Sequence, residues 1–465
     1  MKVLMLGWEY PPNISGGLGT ACEGLTKALA SKGIDIDFVL PKKLGGEHAP
    51  HMDLLEPEEL AEQIEMETVE EAAPGEGEAG TQAGPSDEQK KAAAKKAAAN
   101  YAWVGAYARP IRTAAGNLDY TKWKEETATA QGRISRMEPR QAMGEILQAS
   151  KVEGENNLFT QVEHFTKRVE NASLVQKFDV VHAHDWLTFP AGVIAARAAR
   201  VPLISHVHSL EVDRAGEGGN PVIHAIEGVG IRAADHIVAV SEYTRDQIVR
   251  VFGIPKDRIS VAHNGVDPTP HGTFTTLMVE KDKPRVLFLG RVTFQKGPDY
   301  FIEAASLVAR KLKDAVFVMA GSGDMLHWAR QRVHELGLED RFEFPGFVKG
   351  DDLEQEFRRA SVFVMPSVSE PFGIVALEAI HRGTPTIVSK QSGVSEVLRH
   401  VFKVDFWDTW RMADLIVNLL QYPELGKSLR TNAEKEVSRL GWDSTADRVG
   451  EVYSEVVNRE LPFIL

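Results

Sequence analysis

Val286-Leu287-Phe288-Leu289 and Val362-Phe363-Val364-Met365 are apolar without interruption. A strand with one wet face alternates, whereas a strand covered on both faces reads in this continuous way. Comparable short runs fall into two groups. Lys2–Leu6, 35–40, 178–183, 202–207, 236–240 and 258–262 form the first; Arg285–Leu289, 315–320, 341–347, 361–365 and Thr386–Ser389 form the second. Stretches between them, such as 300–312 and 353–360, carry helical spacing, so the pattern is repeated βαβ and the sheets are parallel. The expected fold class is α/β, with two Rossmann-like domains facing across a cleft. Ligands of such sheets sit at the carboxyl ends of the strands. Segment 268–284, with three prolines and no periodicity, reads as the connection. The first domain is therefore expected over 1–270 and the second over 271–440.

One segment does not fit. No Phe, Tyr or Trp lies between Phe38 and Tyr101, and 56–78 holds ten glutamates without a lysine or arginine. A Gly/Glu/Ala tract and an Ala/Lys block follow. Such a composition cannot bury a core, so an insertion over about 45–140, partly disordered, is expected in the first domain. It serves either as an acceptor-capturing or partner-binding tail or as a solvated loop between two strands. The formal net charge of −13 disfavours a protein held by overall charge on nucleic acid or an anionic membrane. No apolar run reaches the roughly 20 residues of a membrane span. The start lacks a secretory pattern, and Cys22 is the single cysteine, which excludes an intramolecular disulfide and a thiolate zinc cluster. A cytoplasmic enzyme is the expectation.

Four places could carry chemistry. The loop after the first strand contains Gly16, Gly17 and Gly19. Glycines at a strand-to-helix turn let backbone N–H groups approach a phosphate, but a tight turn needs them equally. Cys22 stands where a dinucleotide fingerprint requires its third glycine. Next, His182 and His184 share one face of a strand that runs into Asp185 and Trp186, and His206-Val207-His208 repeats the spacing on the following strand. Paired histidines at strand ends suit a hydrolytic metal or hydrogen bonds to a substrate. Arg291 and Lys296 follow the first strand of the second group; a planar fork and a point charge on a short loop suit a diphosphate, as they also suit a solvated basic loop. Last, Glu370-Pro371-Phe372-Gly373-Ile374-Val375 leads from a strand into a helix bearing Glu378. The free N–H groups of Gly373, Ile374 and Val375 can hold phosphate oxygens, and Glu378 can accept from a sugar hydroxyl. A carboxylate at Glu370 would repel phosphate, which assigns it to a hydroxylated sugar.

Together the Gly-Gly loop, His-Ala-His-Asp-Trp at 182–186, Ser-Glu-Tyr-Thr at 241–244, Asn-Gly-Val-Asp at 264–267, Gly-Arg-Val at 290–292 with Lys296-Gly297, and the 370–379 element resemble the retaining glycosyltransferases of family four. From residue 157 to 214 the chain is especially similar to the bacterial glycogen- and starch-synthase-like branch. The resemblance implies the GT-B arrangement, a nucleotide-sugar donor in the cleft and transfer with retention. It implies that Gly16 and Gly17 lie near the donor phosphates, that Arg291 and Lys296 neutralise the leaving diphosphate, and that Glu370 contacts the donor sugar while Glu378 holds the ribose. His184 matches the active-site histidine at the sugar, with Asp185, Trp186 and His208 on the acceptor side. It further implies no cofactor and no metal, and a helix over 441–465 that crosses back to the first domain. The chain departs from the ADP-glucose synthases at Ile14, where they carry lysine, and at Phe372, where they tend to carry cysteine. The donor is thus open between ADP-, UDP- and GDP-sugars.

The expected activity is a hexosyltransferase that moves glucose from a nucleotide-sugar to an α-glucan. The alternatives are a glycosyltransferase acting on another glycoside or a cell-envelope glycan, and a metal-dependent hydrolase using the two histidine pairs. A non-catalytic sugar-nucleotide-binding scaffold would leave His184, Arg291, Lys296 and Glu370 without work.

Overall fold

The structure is a computed structural model that describes residues 1–14, 16–60, 137–149, 158–173, 177–266 and 283–459. Most of the insertion and of the connection, including the disorder expected there, lies outside the described residues. Among those described, thirteen strands form two sheets. In chain order they are β1 (Lys2–Leu6), β2 (Asp35–Val39), β3 (Asp53–Leu55), β4 (Val180–His184), β5 (Leu203–Val207), β6 (His236–Ala239), β7 (Ile259–Val261), β8 (Arg285–Leu289), β9 (Val316–Ala320), β10 (Phe342–Gly346), β11 (Val362–Met365), β12 (Thr386–Ser389) and β13 (Phe402–Val404). The first sheet runs β3-β2-β1-β4-β5-β6-β7 and the second β10-β9-β8-β11-β12-β13. Every pairing is parallel.

Helices cover both faces, which is why the central strands are apolar throughout: β4, β5, β6, β11 and β12 are buried along their whole length. In both sheets the order of strand addition reverses once, between β1 and β4 and between β8 and β11. Strand order reverses at a crevice outside the carboxyl ends, where open α/β sheets bind ligands. The four loops that leave those strands carry the four sequence motifs.

Two edge strands were not legible in the sequence. β13 is three residues with an exposed lysine at its centre, and β3 lies at the start of the aromatic-free segment. Edge strands are short and partly wet, so they lack the continuous apolar signature. Packing also extends into the acidic segment. Leu60 is fully buried, and Glu56 accepts a hydrogen bond from the Lys43 backbone N–H at 2.9 Å.

The last helix, Trp442–Asn458, leaves the second half and packs on the first. Val449, Val452 and Tyr453 join Val3, Met5, Leu25 and Leu29 in one core. Gly24 makes the crossing possible, because a Cβ there would lie 2.1 Å from the Trp442 ring. Each fully buried aliphatic side chain in this seam contributes about 1.5–3 kcal/mol.

Candidate functional site

The glycine loop meets the second half directly. Gly16 is extended and begins the helix Gly17–Ser31, and a Cβ on Gly17 would lie 4.0 Å from Ile374 Cδ1. Ile374 opens the helix Ile374–His381, whose N-terminal flank is Gly373 in a left-handed conformation (φ 108°). The two helix starts are thus neighbours, and the free N–H groups of a helix start attract anions.

On the same side of the second sheet, the loop after β8 turns at Gly297 (φ 65°), where a Cβ would lie 2.3 Å from the Pro366 carbonyl oxygen. This close approach brings Lys296 to the loop after β11. Lys296 Nζ donates to Glu370 Oε2 at 2.6 Å, and the Ser367 hydroxyl donates to the same oxygen at 2.9 Å. Both partners are largely buried, Glu370 more so. The sequence assigned these residues to different groups, cation to phosphate and carboxylate to sugar. The structure adds that they are one ion pair, so any diphosphate shares the lysine with the carboxylate. Arg291, half-buried, donates to Gln295 Oε1 at 3.0 Å.

The loop bearing Glu370 is fixed from the first half. Ser241, which caps the helix Glu242–Phe252, donates its hydroxyl to the Pro371 carbonyl at 2.5 Å. The Ser369 hydroxyl donates to Asp213 Oδ1 at 2.6 Å and lies 2.8 Å from the Tyr243 hydroxyl. Burial raises the Asp213 carboxyl, against the hydrogen bond from Ser369. Glu396 accepts from the backbone N–H groups of Glu242 and Tyr243 at 2.9 and 2.6 Å. Sequence reading gave Ser369, Asp213, Tyr243 and Glu396 no role, since nothing local marks a pair about 130–160 residues apart as a contact.

Opposite, β4 and β5 run in register with His184 beside His206. The four imidazoles form one stack: ring centroids are 4.4 Å apart for His182–His184 and 4.2 Å for His206–His208. His184 Nδ1 pairs with His208 Nε2 at 2.9 Å, and His182 Nε2 with His206 Nδ1 at 3.1 Å. Burial is the main cause holding all four below the usual histidine range, His182 and His208 at about 3. They are neutral near pH 7. His184 Nε2 and His206 Nε2 are buried with no hydrogen-bond partner among the described residues.

His182, His184 and His206 can each offer a nitrogen within 4.8 Å of the others. A metal must lie near the plane of every imidazole it binds. The rings of His182 and His184 are stacked at 18°, so an ion in one plane lies off the other, and two of the available nitrogens already bond within the group. The stack suits hydrogen bonding to a hydroxylated ligand better than chelation, which weighs against the hydrolase alternative.

Asp185 takes a left-handed conformation (φ 59°) that short polar side chains tolerate. This turns Oδ1 under the next loop, where it accepts from the His208 and Ser209 backbone N–H groups at 2.7 and 3.2 Å. Burial pushes its carboxyl up to about 6, against the pull of Arg214 and those two N–H groups. Asp185 therefore shapes the His208 loop. Trp186 departs from the acceptor-side place that the resemblance implied. It is 1% exposed and packs against Phe159 at 5.8 Å, because the turn after Asp185 carries it inward onto the helix Leu158–Ser173. Glu378 is half-buried one turn into its helix, on the element that faces Gly17.

Comparison with known proteins agrees with this layout. The family model for the starch synthase catalytic domain matches residues 2–81, that for Glycosyltransferase Family 4 matches 152–270, and that for Glycosyl transferases group 1 matches 276–436. An uncharacterized glycosyltransferase of Methanocaldococcus jannaschii is 27% identical over 97% of this chain and 98% of its own length. The D-inositol 3-phosphate glycosyltransferase 1 of Catenulispora acidiphila is 30% identical, over 60% of this chain and 73% of that protein. The glycogen synthase of Mycobacterium tuberculosis is 25% identical over 97% and 94%. Among solved structures, the sucrose-phosphate synthase of Thermosynechococcus elongatus superposes with a TM-score of 0.64 at 18% identity, covering 98% of both chains. An Anabaena protein in complex with UDP and glucose gives a TM-score of 0.61 at 16% identity, covering 98% of this chain and 99% of that one.

Proposed function

Because the chain belongs to the glycosyltransferases of group 1 and family 4, with their GT-B fold, we propose that it transfers glucose, with retention of configuration, from a nucleotide-sugar to a soluble α-glucan. The observation that carries this reading is the meeting of the loops at the two sheet reversals, with Gly17 against Ile374 between the two halves and Lys296 against Glu370 within the second. In this reading the donor diphosphate takes the N–H groups of Gly373, Ile374 and Val375 and the side chains of Arg291 and Lys296. Negative charge grows on the leaving diphosphate, so these groups bind the transition state more tightly than the ground state. Glu370 meets the sugar hydroxyls, and its bond to Lys296 holds the carboxylate in place. Glu378 accepts from the ribose. His184, neutral and with Nε2 unpartnered among the described residues, meets the sugar from the first half; Gly16 and Gly17 give the phosphates room.

The match to glycogen synthase along nearly the whole chain supports a glucan acceptor. A further observation favours an uncharged acceptor over a phosphorylated one. Arg214, just beyond the second histidine pair, donates to Glu211 at 3.1 Å and to Glu227 at 2.8 Å, so its charge is matched inside the protein. Among the described residues no helix is long and apolar enough to cross a membrane, which agrees with a soluble acceptor. The enzyme works without metal or cofactor in this reading, and its donor is ADP-, UDP- or GDP-glucose.

The test is release of nucleoside diphosphate from each of the three donors, with glycogen, maltooligosaccharides or inositol 3-phosphate as acceptor and chelator present. Glycogen elongation with an α-linked product is expected. Transfer only to inositol 3-phosphate, with no elongation of glycogen or maltooligosaccharides, would refute the glucan reading, and loss of turnover in chelator would refute the metal-free one.

A further inference from the structure

Tyr453 lies in the last helix, is fully buried, and places its hydroxyl 2.6 Å from His182 Nδ1. It stands 271 residues from that histidine in sequence. His182 Nε2 in turn meets His206 Nδ1, and His206 Nε2 has no partner among the described residues. The three groups make one hydrogen-bonded line from the crossing helix into the histidine stack. Neutral imidazole carries one N–H, so the line has only two proton arrangements. In the first, the Tyr453 hydroxyl donates to Nδ1, His182 donates through Nε2–H to His206 Nδ1, and His206 is left with Nε2–H. In the second, His182 carries its proton on Nδ1 and donates to the Tyr453 oxygen, and His206 donates back through Nδ1–H.

The second arrangement leaves two buried groups unsatisfied, the Tyr453 hydroxyl hydrogen and the bare His206 Nε2. The first leaves one, the His206 Nε2–H, and buried unsatisfied groups are what a fold avoids. Burial keeps His182 neutral near pH 7, so the choice is between tautomers and not between charge states. His206 stacks 4.2 Å from His208 and stands 5.1 Å from His184, in ring centroids. The tautomer chosen at Tyr453 therefore sets the polar floor beneath the histidine assigned to the donor sugar.

We propose that Tyr453 is a positioning residue for glycosyl transfer, whose hydroxyl fixes His182 and His206 as Nε2–H tautomers and so orders the floor under His184. The proposal rests on the transferase reading above for its effect on rate, but its tautomer claim stands apart from it. Through this bond the helix that crosses from the second half becomes part of the cleft's polar structure as well as its packing.

Two measurements test it on the full-length protein. Nitrogen-15 spectra of histidine-labelled protein, with His182 and His206 assigned by single substitutions, report which ring nitrogen carries the proton. Nε2–H at both positions is expected, and Nδ1–H at His182 overturns the proposal whatever the activity. Tyr453→Phe keeps the ring and removes only the hydroxyl. It should lower kcat about fivefold, the factor that one hydrogen-bond bias carries, with the donor KM nearly unchanged. The His182 and His206 signals should move to a tautomer mixture. Unchanged kcat and tautomers in Tyr453→Phe overturn the proposal, as does a loss of melting temperature with kcat intact, which marks a purely structural residue. If the unaltered protein turns over no donor, the transferase reading fails and the nitrogen spectra still decide the tautomers.

Discussion

Acid should weaken the first half through the histidine stack, and replacing His182 with asparagine isolates one share of the effect. His182 is fully buried, and its folded value of about 3 lies below the ordinary 6.5. The unfolded chain therefore binds the proton first, and stability falls as pH falls. This contribution is fully present above about pH 6.5 and lost progressively from there towards pH 3. With those two values, the step from pH 7 to pH 5 costs about 2 kcal/mol for His182 alone. His208 loses a similar amount, also held at about 3, and His184 and His206 move in the same direction. Asp185 opposes them. Its carboxyl sits at about 6 when folded, so protonation relieves a buried charge and returns about 1.3 kcal/mol over the same interval. Buried Glu227, raised despite Arg214, acts in the same sense as Asp185. The net slope of the whole protein mixes these terms, whereas the difference between the unaltered protein and His182→Asn removes them to first order. Asparagine keeps a polar atom near the position of Nδ1 for Tyr453. Urea unfolding at pH 7 and pH 5 should show the unaltered protein losing about 2 kcal/mol more than the variant. A difference below about 0.5 kcal/mol would refute the reasoning, because a neutral buried imidazole cannot escape that linkage.

Arg291→Ala should lower nucleoside diphosphate release by roughly 10²-fold, the scale of losing one electrostatic donor to a transition state, with the melting temperature little changed. Near-normal turnover in a folded variant would remove it from the mechanism. Glu370→Ala should abolish most sugar transfer yet keep nucleoside diphosphate binding equal or tighter, because it frees Lys296 from its 2.6 Å partner; weaker nucleotide binding in calorimetry would place Glu370 elsewhere. Gly24→Ala should destabilise by about 1–3 kcal/mol through overpacking, since the added carbon would meet the Trp442 ring at 2.1 Å. Thermal unfolding checks this, and an unchanged melting temperature would mean that the crossing helix does not seat there.

Much of this protein was legible from local pattern. Continuous apolar runs such as Val286-Leu287-Phe288-Leu289, short and rich in β-formers, read as strands covered on both faces, and helical stretches between them make the sheets parallel. The loops with glycines, paired histidines, Arg291 with Lys296, and Glu370 through Glu378 could be placed after strands for the same reason. Their residue types already pointed to anions and hydroxyl groups, with a metal at the paired histidines as the alternative. Short edge strands escaped, because three residues such as Phe402-Lys403-Val404 carry no period.

What the pattern could not supply was adjacency. Nothing in β1 or β4 says that they pair, with about 175 residues between them, and that pairing is what sets the glycine loop beside the histidine stack. Nor does any local feature join Lys296 to Glu370, His182 to Tyr453, or Asp213 to Ser369. Trp186 shows the same gap from the other side: its motif implied a place on the acceptor side, and only packing against Phe159 reveals that it is core. Periodicity reports how one segment meets solvent, and so the sequence by itself determined most of the elements and the candidate groups on their loops. Which segments become neighbours is settled by burying many faces at once, a property of the whole chain, and the tertiary structure alone turned four separate loops into one cleft.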